Sequence, residues 1–142
     1  MADESRVTIA AARFLGKADW PVVSLALPSG GSGVTLRSRN TEDPVLVPDI
    51  VARSQDSDRA IVVEAKPAFS ASDAAKLISL KSGTYEESIN RTLSLTSKDL
   101  ILCLAHSGNP VRNYESFGID LVLTLMSDRE IRVSFDRLGL FR

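Results

Sequence analysis

The chain has 142 residues, of which 44% are apolar and 25% charged, with a formal net charge of −1. That composition is ordinary for a globular protein long enough to bury a core, and the length predicts one domain over residues 1–142. The near-neutral balance excludes strong nucleic-acid binding driven by overall charge, and predicts weak intrinsic affinity or a partner that supplies it. No apolar run reaches the ~18–20 residues needed to span a bilayer, and no basic-then-apolar leader opens the chain. The single cysteine, Cys103, sits in an apolar run and reads as a small buried hydrophobe; alone it forms no intrachain disulfide. A cytoplasmic protein without membrane contact is the expectation.

In chain order, Arg6–Gly16 predicts a helix, since Val7, Ala10, Ala11, Phe14 and Leu15 recur at three- and four-residue spacing. Val22–Leu27 predicts a strand, and Trp20 should pack against the first helix. The run from Pro28 to Gly33 is a glycine–serine loop, and Val34–Arg37 reads as a further short strand. Val45–Ser54 and Ala60–Lys66 are two valine-rich strands separated by the polar turn Gln55–Arg59. Ser70 with Asp73 predicts a helix start, and Thr84 with Glu87 a second one after Gly83. Asp99–Ala105 reads as a buried central strand. Arg112–Phe117 fits a helical turn, and Ile119–Met126 with Ile131–Phe135 a terminal hairpin. The expected fold class is α/β, with a central mixed sheet flanked by helices.

The chemistry concentrates in the first hairpin. Centred on Asp56-Ser57, it pairs residues whose numbers sum to 113, which sets Asp49 opposite Glu64. Lys66 returns to the face of Glu64, while Ala65 points the other way. Two facing carboxylates repel unless something positive stands between them, and a divalent cation beside a lysine would answer that need. The alternative is an ordinary hairpin whose Glu64 and Lys66 face solvent.

Pro48-Asp49 followed by Glu64-Ala65-Lys66, on two strands with a helix after them, resembles the PD-(D/E)XK nuclease superfamily. The likeness runs from about Val45 to Leu80. It implies a restriction-endonuclease-like or Holliday-junction-resolvase-like core in the order αβββαβ, and a Mg²⁺-dependent nuclease hydrolysing phosphodiester bonds in DNA for restriction, repair or recombination. Mn²⁺ should substitute. The metal would be held by Asp49, Glu64 and the carbonyl of Ala65, with Glu4 of the first helix as a further ligand, unless Glu4 is simply a carboxylate favouring a helix N-terminus. Asp49, Glu64 and Lys66 form the implied catalytic set, Lys66 orienting the nucleophile or stabilising developing charge. Resolvases of this superfamily place a serine-containing loop near the position of Ser29–Gly33, which by its own residues reads as a flexible connection. Recombination-type exonucleases carry a glutamine and a tyrosine after the motif; Tyr85 is present here and the glutamine is not.

So small a chain is expected to act as a homodimer or as a subunit of a larger complex. Arg37/Arg39, Lys76/Lys81 and Arg129/Arg132/Arg137/Arg142 are basic clusters able to follow a nucleic-acid backbone or to serve as solvated faces. His106 reads as a capping or packing residue, and with no second His or Cys nearby a zinc site is not expected. Two other readings stand beside the nuclease. One is the same fold as a catalytically inactive binding or scaffolding subunit; the other is an unrelated α/β interaction domain.

Overall fold

Asp3 caps the first helix, α1 (Glu4–Lys17), its carboxylate accepting from the Arg6 amide at 2.9 Å. Val7, Ala11 and Leu15, four residues apart, bury one face of α1 completely. The computed structural model describes residues 3–27, 33–55 and 58–141. After α1 come strands β1 (Val22–Leu25), β2 (Ile50–Arg53) and β3 (Ala60–Lys66), then helices α2 (Ala71–Ile78) and α3 (Glu86–Leu93). Strands β4 (Leu100–Ser107), β5 (Leu121–Leu125) and β6 (Ile131–Asp136) complete the order.

The six strands lie side by side in chain order as one mixed sheet. The outer pairs, β1–β2, β2–β3 and β5–β6, are antiparallel, while β3–β4 and β4–β5 are parallel. Parallel neighbours need long crossovers. The first is supplied by α2 and α3, the second by the segment from Gly108 to Asp120 with its tight helical turn at Tyr114–Phe117. All eight residues of β4 are buried, as its apolar sequence requires of a central strand covered on both faces.

Alternation along β3 divides the core in two. Ile61, Val63 and Ala65 pack on the side of Val7, Ala11 and Leu15 of α1, together with Trp20. Ala60 and Val62 pack on the other side, with Leu77 of α2 and Ile89 of α3. Helices therefore cover both faces of the sheet. None of them, among the described residues, is long and apolar enough to cross a membrane.

Several boundaries differ from the sequence-based expectation. The Val45–Ser54 strand shrinks to Ile50–Arg53: Pro48 has no amide to extend a ladder, and Val45 and Val47 are 48% and 44% exposed. Val22–Leu27 ends at Leu25, and Val34–Arg37 contributes only one bridge, Leu36 to Leu46. Thr84 does not cap α3. Its hydroxyl pairs with that of Ser82, and α3 starts after Tyr85 without a side-chain cap. Ser70 does cap α2, and Ala60–Lys66 is a strand over its whole predicted length. The turn centre Asp56-Ser57 lies outside the described residues.

Leu102, 1% exposed at the middle of β4, tests this core. Leu102→Ala should lower the unfolding free energy by about 2–5 kcal/mol in urea denaturation. Arg112→Ala, on an exposed turn, should stay within about 0.5 kcal/mol of the parent.

Candidate active site

Asp49 stands one residue before β2, beside the carboxyl end of β3. Its amide donates to the Val63 carbonyl at 3.0 Å, and its own carbonyl accepts from Ala26 at 2.9 Å. The ladder ends there, so no strand carbonyl of β2 meets the Ala65 amide. The Asp49 carboxylate takes that place, its Oδ2 accepting from Ala65 N–H at 2.7 Å. A side chain thus satisfies a strand donor that would otherwise be stranded. Within an extended strand a residue's N–H and C=O point to the same edge, so the Ala65 carbonyl faces the edge where Asp49 sits.

The pairs Ile50–Val63 to Arg53–Ala60 keep the expected sum of 113, which carries Asp49 up to Glu64. Glu64 projects toward α2, with 13% of its side chain exposed and Lys76 Nζ at 3.9 Å from Oε1. Burial, and then the charge of Asp49, push the Glu64 carboxyl up to about 7; Lys76 and Lys66 offset only part of this. Asp49 is raised as well, by burial first, against the restraining hydrogen bond from Ala65 and with a further push from Glu4. Near neutral pH the two carboxyl groups therefore share the site with less than two full charges.

Lys66 ends β3. Its Nζ lies 3.2 Å from Glu4 Oε1 at the start of α1. Burial alone would lower this ammonium, but the hydrogen bond and charge of Glu4, with Asp73 and Glu64 behind it, raise it instead. Lys66 is therefore a fixed cation rather than a base. All four sequence candidates with charged side chains, Glu4, Asp49, Glu64 and Lys66, are thus gathered at one end of the sheet. Ala65 has its side chain in the core on the α1 side and its backbone at the site.

Two residues join this cluster whose place sequence reasoning had missed. From the sequence Asp73 reads only as a capping residue and Lys76 only as part of a basic surface pair. The signal was available, since residues three apart share a helix face and the Ser70 cap fixes where α2 begins. Pro48, Glu64, Lys76 and Leu77 line a cavity of about 40 Å³, sized for a water molecule rather than a larger ligand.

Other candidates fall elsewhere. Tyr85 is 2% exposed and its hydroxyl donates to the Pro44 carbonyl at 2.6 Å, so it is a core residue and does not present itself to a nucleic acid. Lys81 donates to the Ser97 and Leu100 carbonyls, and Arg137 is locked onto the buried Asp120. His106 is buried against Tyr114 and Phe69, its Nε2 2.8 Å from the Tyr114 hydroxyl. Cys103 is fully buried, and burial pushes its thiol far above the usual range. Of the glycine–serine loop, residues 28–32 lie outside the described residues, as does Arg142.

The donor set is hard oxygen: two coupled carboxylates and a backbone carbonyl, which suits Mg²⁺. Among the described residues no three His, Cys, Asp or Glu side chains stand together as a complete ligand group. An ion here would thus rely on two side chains, with the carbonyl, water and substrate oxygens completing its shell. The fold and this end of the sheet define an α/β protein with a carboxylate–lysine cluster beside the carboxyl end of a strand. No protein-family model, curated protein or solved structure matches the chain.

The raised Glu64 carboxyl has a stability consequence. Between its ordinary 4.5 and about 7 the folded chain holds a proton that the unfolded chain releases. Stability is therefore greatest below that window and falls as pH rises through it, by about 3 kcal/mol in total. Glu64→Gln should flatten this fall and make the protein more stable at pH 8, as read by urea midpoints across pH 4–8. A parent curve that rises over the same window would contradict the burial argument.

Proposed function

We propose that the chain is a Mg²⁺-dependent nuclease of the PD-(D/E)XK type, hydrolysing phosphodiester bonds in DNA. The observation that carries this reading is the coupling of Asp49 and Glu64 across β2 and β3, with Lys66 two residues along the same strand. Its support also includes the element order, since α1, three strands, a helical crossover and the parallel strand β4 follow one another as such a core requires.

Each residue has a part set by its surroundings. Asp49 is held by three hydrogen bonds, leaving Oδ1 clear of the Ala65 amide to accept from or ligate a reactant. Glu64, protonated about half the time at neutral pH, must give up its proton before it can ligate a cation, so binding there releases protons. A bound divalent ion would supply charge neutralisation and polarisation of the scissile phosphate. Lys66 carries permanent positive charge at the rim of the site, placed to stabilise charge on phosphoryl oxygens. Glu4 holds that ammonium in position, and Lys76 provides a second cation on the α2 side.

A second reading, the same fold used as a binding or scaffolding subunit without catalysis, is favoured by one observation: the Lys66 ammonium is already engaged by Glu4. Cleavage of labelled DNA and RNA with Mg²⁺ or Mn²⁺ against EDTA separates the two. The expected result is metal-dependent cutting of DNA that drops at least about 100-fold in Asp49→Asn, whose amide oxygen still accepts from Ala65. Equal cutting by that variant would remove the site assignment. Mn²⁺ binding by calorimetry with no cutting on any substrate would favour the inactive subunit.

Lys66→Ala should lose turnover while keeping Mn²⁺ affinity within a few-fold. A larger loss of affinity than of turnover would make Lys66 a structural partner of Glu4 rather than a catalytic residue.

A further inference from the structure

Positive charge that the net balance conceals is gathered in a groove between α1 and the β5–β6 turn. It is an open cleft of about 730 Å³ in which Arg6, Arg13, Lys17 and Arg129 face a single acid, Asp128. Arg6, Arg13 and Lys17 follow one another at seven- and four-residue spacing, which keeps them on one side of α1; all three are exposed. Arg129 approaches from the turn opposite. Arg6 is paired with Asp128 at 2.6 Å, but both side chains are more than half exposed and such a pair exchanges readily. Arg13, Lys17 and Arg129 make no ion pair with any described residue. Between the cations the floor is apolar, with Ile9 37% exposed and Phe14 and Ile131 half-buried.

We propose that this groove binds the phosphate backbone of a nucleic-acid strand. A row of exposed cations over an apolar floor, only Arg6 of them ion-paired among the described residues, is the surface a strand with a charged edge and apolar sugars and bases would require. From Arg6 to Lys17 the helix rises roughly 16 Å, a track long enough to meet several consecutive phosphates of one strand. The row also begins near the candidate active site, because Glu4, which holds Lys66, lies only two residues before Arg6 on α1. The inference builds on the nuclease reading by giving the strand a track, yet binding can be measured without any cutting.

Anisotropy of a labelled DNA oligonucleotide, in EDTA and across a salt series, reads the groove directly. Four contacts predict a slope of log affinity against log salt of about −3 for the parent protein. Arg13→Ala with Lys17→Ala should reduce that slope by about 1.5 and weaken low-salt binding about tenfold or more. Arg112→Ala, away from the groove, should leave it unchanged. No binding at low salt, or an unchanged slope in the double variant, would overturn the groove. So would polyglutamate competing as well as unlabelled DNA of equal charge, since the groove would then select acidic chains in general. The two readings stay apart, because oligonucleotide binding in EDTA by a parent protein that cuts nothing with Mg²⁺ or Mn²⁺ fails the nuclease alone.

Discussion

The hydrogen bond from the Ala65 amide to the Asp49 carboxylate is the contact around which the rest of the site is arranged. Strand pairing between β2 and β3 stops at Ile50, and a backbone donor on β3 is left facing the gap. One carboxylate fills it, which fixes Asp49 at the carboxyl end of β3 and commits a negative charge to a half-buried position. Every neighbouring group answers to that charge. Glu64 is driven toward neutrality by burial first and then by that charge, while Lys76 and Lys66 stand close enough to offset part of the shift. A charge in such a place is costly unless paired and hydrogen-bonded, and a cation ligated by both carboxylates would relieve the remainder.

The sheet makes this cluster possible by what it covers. Strands β3 and β4 are buried on both faces, so their only polar outlets are their ends. At the carboxyl end of β3 the first turn of α1 and the early part of α2 arrive from opposite faces. That brings Glu4 and the Asp73–Lys76 face to either side of the strand. Residues 62 positions apart in the chain, Glu4 and Lys66, pair as a consequence of layer packing and not of local sequence. The same packing turns the outer face of α1 toward the β5–β6 turn, where its arginines and lysine collect over an apolar floor.

Much of this was legible beforehand. β3 could be read to the residue, since AIVVEAK changes from continuous apolar to charged where burial ends. The register followed from the hairpin sum, and α2 from its serine cap. What could not be read were the places where one polar group answers another across the fold. Thr84 resembles a cap, but Ser82 competes for its hydroxyl, while Glu86 turns instead to Ser97. Tyr85 stands where the resemblance places a tyrosine after the motif, yet its ring is part of the core and its hydroxyl donates to the Pro44 carbonyl. Val45 and Val47 look like strand, yet Pro48 forbids the ladder they would join.

By itself, then, the chain determined the strands and helices whose patterns are strong, and the pairing register of β2 with β3 that sets Asp49 across from Glu64. These depend on periodicity and on neighbours close in sequence, which any reader of the pattern shares with the folding chain. Tertiary structure decided which lysine faces which carboxylate, that Glu64 is held near neutrality, and that the basic residues of α1 meet Arg129 across a groove. Those outcomes depend on dielectric and distance, quantities that come into being only when separate elements are packed against one another.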